Sequence, residues 1–181
     1  MIAPIDWPNF HKNLPVTFLI TVVTVAVWAL INLGIIDAPI SVGGAMNANA
    51  WLAHFSHYSF LHLVSNLLIV LFMGVLLERH VGWWRYLLMV LLVWNLTVLG
   101  LYFFNPGAVL GFSGIGLGLM VLAYFYWQDE PQTAQMIGVL VLLNLVFGFM
   151  PGVSWQGHAI GALSGLAVYG LIRAAQIGQK S

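Results

Sequence analysis

Three polar clusters interrupt an otherwise apolar chain of 181 residues: His54-Phe-Ser-His57-Tyr-Ser-Phe-Leu-His62-Leu-Val-Ser-Asn66, Gly111-Phe-Ser113-Gly114 and Gly157-His158-Ala-Ile-Gly161. A serine hydroxyl beside an imidazole is the minimal constellation for nucleophilic catalysis, because the imidazole removes the proton that leaves a hydroxyl a weak nucleophile. Taken alone, a serine between glycines more often packs or bonds back to its own helix. A lone intramembrane histidine divides evenly between structural and functional roles. The joint occurrence favours a site, with Ser113 as nucleophile and His158 as base. His62 and Asn66 lie four apart, on one helical face, and are placed to donate hydrogen bonds to a developing oxyanion. No acidic residue is placed to complete a triad: Glu78, Asp129 and Glu130 fall at the opposite ends of their segments and Asp37 lies in a loop. A dyad is expected.

These residues need elements to hold them, and composition says which kind. The chain is 61% hydrophobic and 6% charged, with a mean hydropathy of +0.97. A soluble domain carries about 25% charged residues, so the sequence predicts an integral membrane protein. Five basic residues balance five acidic ones, which leaves no net charge for gripping nucleic acid. With no cysteine, thiol catalysis and Cys-based metal sites are excluded. The histidines include no His-x-x-x-His pair within one helix and have no carboxylate near them, so no metal or other cofactor is expected. A transporter is disfavoured, since no charge lies deep in any span. The first residues contain no short apolar core with a small-residue cleavage site, so no removable signal peptide is expected.

Charges punctuate the chain. The uncharged stretches are 13–36, 38–77, 86–128 and 131–172, to be compared with the ~20 apolar residues that cross a bilayer. The first holds one span, and the second holds one in its later half, about 57–77. Asn105-Pro106-Gly107 and Met150-Pro151-Gly152 split the last two into two spans each. The fold class is therefore an all-α, six-span bundle. Lys12, Arg79, Arg85, Arg173 and Lys180 all fall on one side of such a topology, which puts both termini in the cytoplasm. The expected organisation is a short cytoplasmic segment (1–14), a six-span membrane domain (15–176) and a cytoplasmic tail (177–181). Spans 2, 4 and 6 then run from outside to inside, and their polar N-terminal turns meet at one depth. Gly114 and Gly118 face Gly157, Gly161 and Gly165 as small-xxx-small stripes that let spans 4 and 6 approach closely.

The combination of Gly111-x-Ser113-Gly114, His158-x-x-Gly161-x-x-x-Gly165, His57-x4-His62-x3-Asn66 and Glu78-Arg79-x-x-Gly82 resembles the rhomboid intramembrane serine proteases in their compact six-span bacterial form. The resemblance covers the chain from about Pro15 to Arg173. It implies a Ser113 nucleophile, a His158 general base and an oxyanion hole from His62, Asn66 and the Ser113 backbone N–H, with Gly111, Gly114, Gly161 and His57 in support. It also implies single-span transmembrane substrates cleaved near the outer face, and a place in a bacterial inner membrane. The alternative is an inactive rhomboid-like protein that binds and escorts transmembrane helices. Three departures stand out. Trp51-Leu52 replaces the family's Trp-Arg, and Ala53, with His54 beside it, replaces a histidine. Leu117 replaces the aromatic ring that packs on the catalytic imidazole, so His158 must be oriented by something else.

Overall fold

The computed structural model describes residues 6–39, 41–42, 44–105 and 107–178. Lys180, Pro106, Gly43 and the outermost residues of both terminal segments lie outside the described residues. Among the described residues the fold has six long helices: α1 (Pro15–Asn32), α2 (Phe60–Val81), α3 (Trp83–Phe104), α4 (Ser113–Tyr126), α5 (Pro131–Phe147) and α6 (Trp155–Gly178). Four of them, α1, α2, α3 and α6, are long and apolar enough to cross a membrane, while α4 and α5 are apolar but shorter. Large apolar side chains such as Leu68, Phe103, Leu142 and Leu163 stand exposed on the outer faces, where a lipid surrounding would cover them.

The start of α2 differs from the expected 57–77. Ser59 sits in extended backbone and its Oγ accepts the His62 N–H at 3.1 Å, so the helix begins at Phe60. His57 is left in the preceding loop. The far end continues to Val81, with a π-helical segment over Gly74–Glu78, and stops at Gly82, whose φ of +83° suits a residue without Cβ. The π segment turns two groups inward. The Leu76 carbonyl accepts the Trp127 indole N–H at 3.1 Å. The buried Glu78 carboxylate accepts the Val16 and Thr17 N–H groups at 2.8 and 2.9 Å and the Thr17 hydroxyl at 2.6 Å. Leu14, the N-cap of α1, offers no side-chain cap, so Glu78 satisfies first-turn donors that the local sequence leaves open.

Helix α4 is the hub. Its residues Gly114–Met120 are all buried, and Ile115, Leu117, Leu119 and Leu122 join Leu76, Leu77 and Tyr86 in one core. It packs on α6 at backbone distance: a Cβ on Gly118 would stand 2.5 Å from the Gly161 carbonyl oxygen, and one on Gly114 would stand 2.9 Å from that of Gly157. The expected glycine stripes are thus a real contact, and it ties the first turns of α4 and α6 together.

Between α1 and α2 the chain forms two short helices, Ala48–Leu52 and Ala53–Phe55. A two-residue antiparallel pairing, which the all-α reading did not include, joins β1 (Ser41–Val42) to β2 (Ala108–Val109). It fastens the loop after α1 to the loop before α4.

Candidate active site

Ser113 opens α4, directly after two residues whose conformation the surroundings require. Gly111 has φ +98°, and a Cβ there would meet the His62 ring at 2.7 Å. Only glycine fits both the backbone and the space. Its N–H donates to the Ala53 carbonyl at 2.9 Å, and its own carbonyl accepts from His54 Nδ1 at 3.2 Å. Phe112 is fully buried. The loop that presents Ser113 is therefore held by the short helix containing His54, at the position where the sequence departs from the family pattern.

His158 lies in the first turn of α6, where Ser154 accepts the Gly157 N–H through its hydroxyl and the His158 N–H through its carbonyl. The His158 Nε2 stands 3.1 Å from Ser113 Oγ, and its Nδ1 stands 2.8 Å from the main-chain carbonyl of Asn144. A carbonyl can only accept, so Nδ1 carries the proton and Nε2 presents its lone pair to the Ser113 O–H. That is the arrangement a general base needs.

His62 and Asn66 line the same cavity of about 750 Å³ as Ser113, His158, Asn144 and His54. Asn66 is buried and donates one amide hydrogen to the His62 carbonyl at 2.8 Å, which fixes the side chain while a second amide hydrogen stays available. The His62 ring packs between Tyr58 and His57, at centroid distances of 4.6 and 4.8 Å. His57 itself is buried behind His62, with Nδ1 donating to the Phe55 carbonyl at 3.2 Å. Both loop histidines are pushed down to about 4, by loss of hydration on burial, reinforced at His57 by His62 and opposed at each by its carbonyl partner. They stay neutral donors at ordinary pH.

All four residues expected to carry the chemistry thus surround one cavity, and Gly111, Gly114 and Gly161 lie at the contacts that shape it. Among the described residues no group of three or more metal-binding side chains is assembled. Two contributors were not foreseen. The Asn144 carbonyl meets His158 Nδ1, and as a main-chain group it leaves no signal in the sequence. Trp51 donates through its indole to Asn95 Oδ1 at 3.2 Å, so the first loop is fastened to α3, while Leu52 is exposed.

The family model described as "Rhomboid domain" matches residues 47–175. A protein named Rhomboid-type serine protease 2, from Emericella nidulans, is 34% identical over 123 residues, which cover 63% of this chain and 24% of that protein. An uncharacterized protein of Mycobacterium leprae is 28% identical over 134 residues, covering 65% of this chain and 53% of that one. The chain thus spans from about a quarter to about half the length of these relatives. With the family match extending over well more than half of its residues, from ahead of α2 into the last turn of α6, the chain belongs to the rhomboid family.

Proposed function

We propose that this protein is an intramembrane serine endopeptidase that hydrolyses a peptide bond in or near the transmembrane segments of other membrane proteins. The observation that carries the reading is the Ser113 Oγ to His158 Nε2 contact of 3.1 Å at the first turn of a buried helix. Ser113 Oγ attacks the scissile carbonyl carbon, and its proton passes to His158 Nε2. The oxyanion is met by the N–H groups at the start of α4, with the positive end of its dipole, and by His62 and Asn66. Collapse breaks the C–N bond, and the amine leaves with the proton from Nε2. Water then attacks the acyl-serine, again giving its proton to Nε2, and release of the carboxyl product returns that proton to Ser113.

Six crossings with both termini cytoplasmic fit the geometry. Val16 meets Glu78, Leu76 meets Trp127, and Phe125 stacks on Tyr169 at 4.6 Å, so one end of the bundle gathers the start of α1 and the ends of α2, α4 and α6. Lys12, Arg79, Arg85 and Arg173 lie at that end. Helix α4, at 14 residues, is about 21 Å long against a hydrocarbon core of ~30 Å. With its far end at the cytoplasmic interface, Ser113 sits below the outer surface, in reach of a transmembrane segment unwound there. The domain limits proposed are 15–176 for the membrane unit, flanked by segments 1–14 and 177–181, in a bacterial inner membrane.

The test is cleavage of a reporter with one transmembrane segment bearing helix-breaking residues near its outer end, co-reconstituted in liposomes with the native protein, Ser113→Ala or His158→Ala. Cleavage by the native protein alone is expected. Equal cleavage by Ser113→Ala overturns the proposal, and stable capture of the uncut reporter by the native protein points to an escort.

A further inference from the structure

We infer that the C-terminal end of α5 completes the Ser113–His158 pair as its third member, with the Asn144 main-chain carbonyl taking the orienting role that a carboxylate on Nδ1 plays in other serine hydrolases. The inference rests on the function proposed above.

Four features of the chain bear on this contact. Helix α5 ends at Phe147, and the Asn144 carbonyl, in its last turn, accepts both the Gly148 N–H at 3.1 Å and His158 Nδ1 at 2.8 Å. The carbonyl keeps its helical partner and offers its second lone pair to the imidazole. Position 148 is a glycine, and a Cβ there would crowd its neighbours: it would stand 3.0 Å from the Leu145 carbonyl oxygen, 3.1 Å from Trp155 Cα and 3.3 Å from His158 Nδ1. The Asn144 side chain is turned away, its amide donating to the Leu140 carbonyl at 2.9 Å, so it does not compete for the ring. Leu117, fully buried beneath Ser113, supplies no aromatic face for the imidazole.

The consequence is electrostatic as well as geometric. When Ser113 gives up its proton, His158 becomes an imidazolium whose Nδ1–H points at the partial negative charge of a helix C-terminus. The other titratable groups lining the cavity are His54, Tyr58 and His62, and no carboxylate of the described residues lines it. The backbone of α5 is therefore the group that holds the tautomer and stabilises the charge. Asn144 is a positioning residue that acts through its peptide carbonyl.

The contact is tested without any variant by ¹⁵N nuclear magnetic resonance of histidine-labelled native protein in micelles above neutral pH. His158 is expected as the Nδ1–H tautomer, and an Nε2–H form overturns the inference. The energetic part is tested by replacing Leu145 with its α-hydroxy acid. This turns the 144–145 linkage into an ester, whose carbonyl accepts weakly. The same replacement at Val146 deletes a backbone N–H but leaves the Asn144 carbonyl an amide. Labelling of Ser113 by a fluorophosphonate probe is expected to be about tenfold slower in the first than in the second, with the acid limb of its pH profile moved to lower pH, because the imidazolium has lost support. Equal rates and superimposed limbs overturn the inference. Absence of labelling in the native protein defeats the proposed hydrolase, and the tautomer still decides the contact.

Discussion

The α4–α6 seam sets the Ser113–His158 distance, and Gly161→Ala perturbs it directly. A Cβ at position 161 would meet the Gly114 carbonyl oxygen and stand 2.6 Å from its carbonyl carbon and 2.9 Å from its Cα. Ordinary carbon–carbon contact is ~3.5–4.0 Å, so the helices must part by about 1 Å at this level. Ser113 adjoins Gly114, and His158 lies one turn before Gly161. The 3.1 Å contact then opens to about 4 Å, beyond hydrogen-bond range. A misplacement of that size costs about 100-fold in rate, and the overpacking costs about 1–3 kcal/mol. Gly170→Ala is the control, since nothing lies within 4 Å of a Cβ there and the residue is exposed on the same helix. The assay is the rate of fluorophosphonate labelling, with thermal unfolding in the same detergent. Native-like labelling and stability of Gly161→Ala, or equal damage from Gly170→Ala, would refute the claim that this seam positions the pair.

Other outcomes follow from the same contacts. Glu78→Ala strips three donors at the start of α1 of their acceptor and is expected to lower stability by about 3 kcal/mol. Glu78→Gln, which keeps one oxygen, should lose less, and a Gln variant as unstable as Ala in thermal unfolding would count against the capping role. His54 and His57, held down to about 4 from 6.5 in the fold, take up protons more readily in the unfolded chain. Their stability contribution is thus complete above pH 6.5 and is lost as pH falls towards 4, by up to about 3 kcal/mol each. Melting temperature against pH should fall through that window, and His54→Gln should flatten the fall. Asn66→Ala should retain partial activity in the reporter assay, because backbone donors at the start of α4 remain, with a loss of about 100-fold. Complete loss would make Asn66 more than one donor among several.

The division into helices and the grouping of Ser113, His158, His62 and Asn66 were legible because their signals are local. Scarce charges and Pro-Gly breakers mark segment ends, and glycines four apart mark the faces that touch. What escaped was carried by groups or distances that local patterns do not encode. The Asn144 carbonyl belongs to the main chain, which is alike at every residue. Glu78 reads as a terminal charge on α2 until the fold brings it to amides 61 and 62 positions away. His54 reads as a departure from the family pattern, and only the fold shows its ring on the Gly111 carbonyl, 57 positions away. The pairing of Ser41–Val42 with Ala108–Val109 is too short to leave a periodic trace.

The central claim is that Ser113 is a nucleophile activated by His158. It is tested most directly by incubating the purified protein with a fluorophosphonate, digesting it and locating the adduct by mass spectrometry. Phosphonylation of Ser113 in the native protein, and its loss in His158→Ala with Ser113 intact, is the expected result. A native protein modified elsewhere, or modified equally without His158, would contradict it.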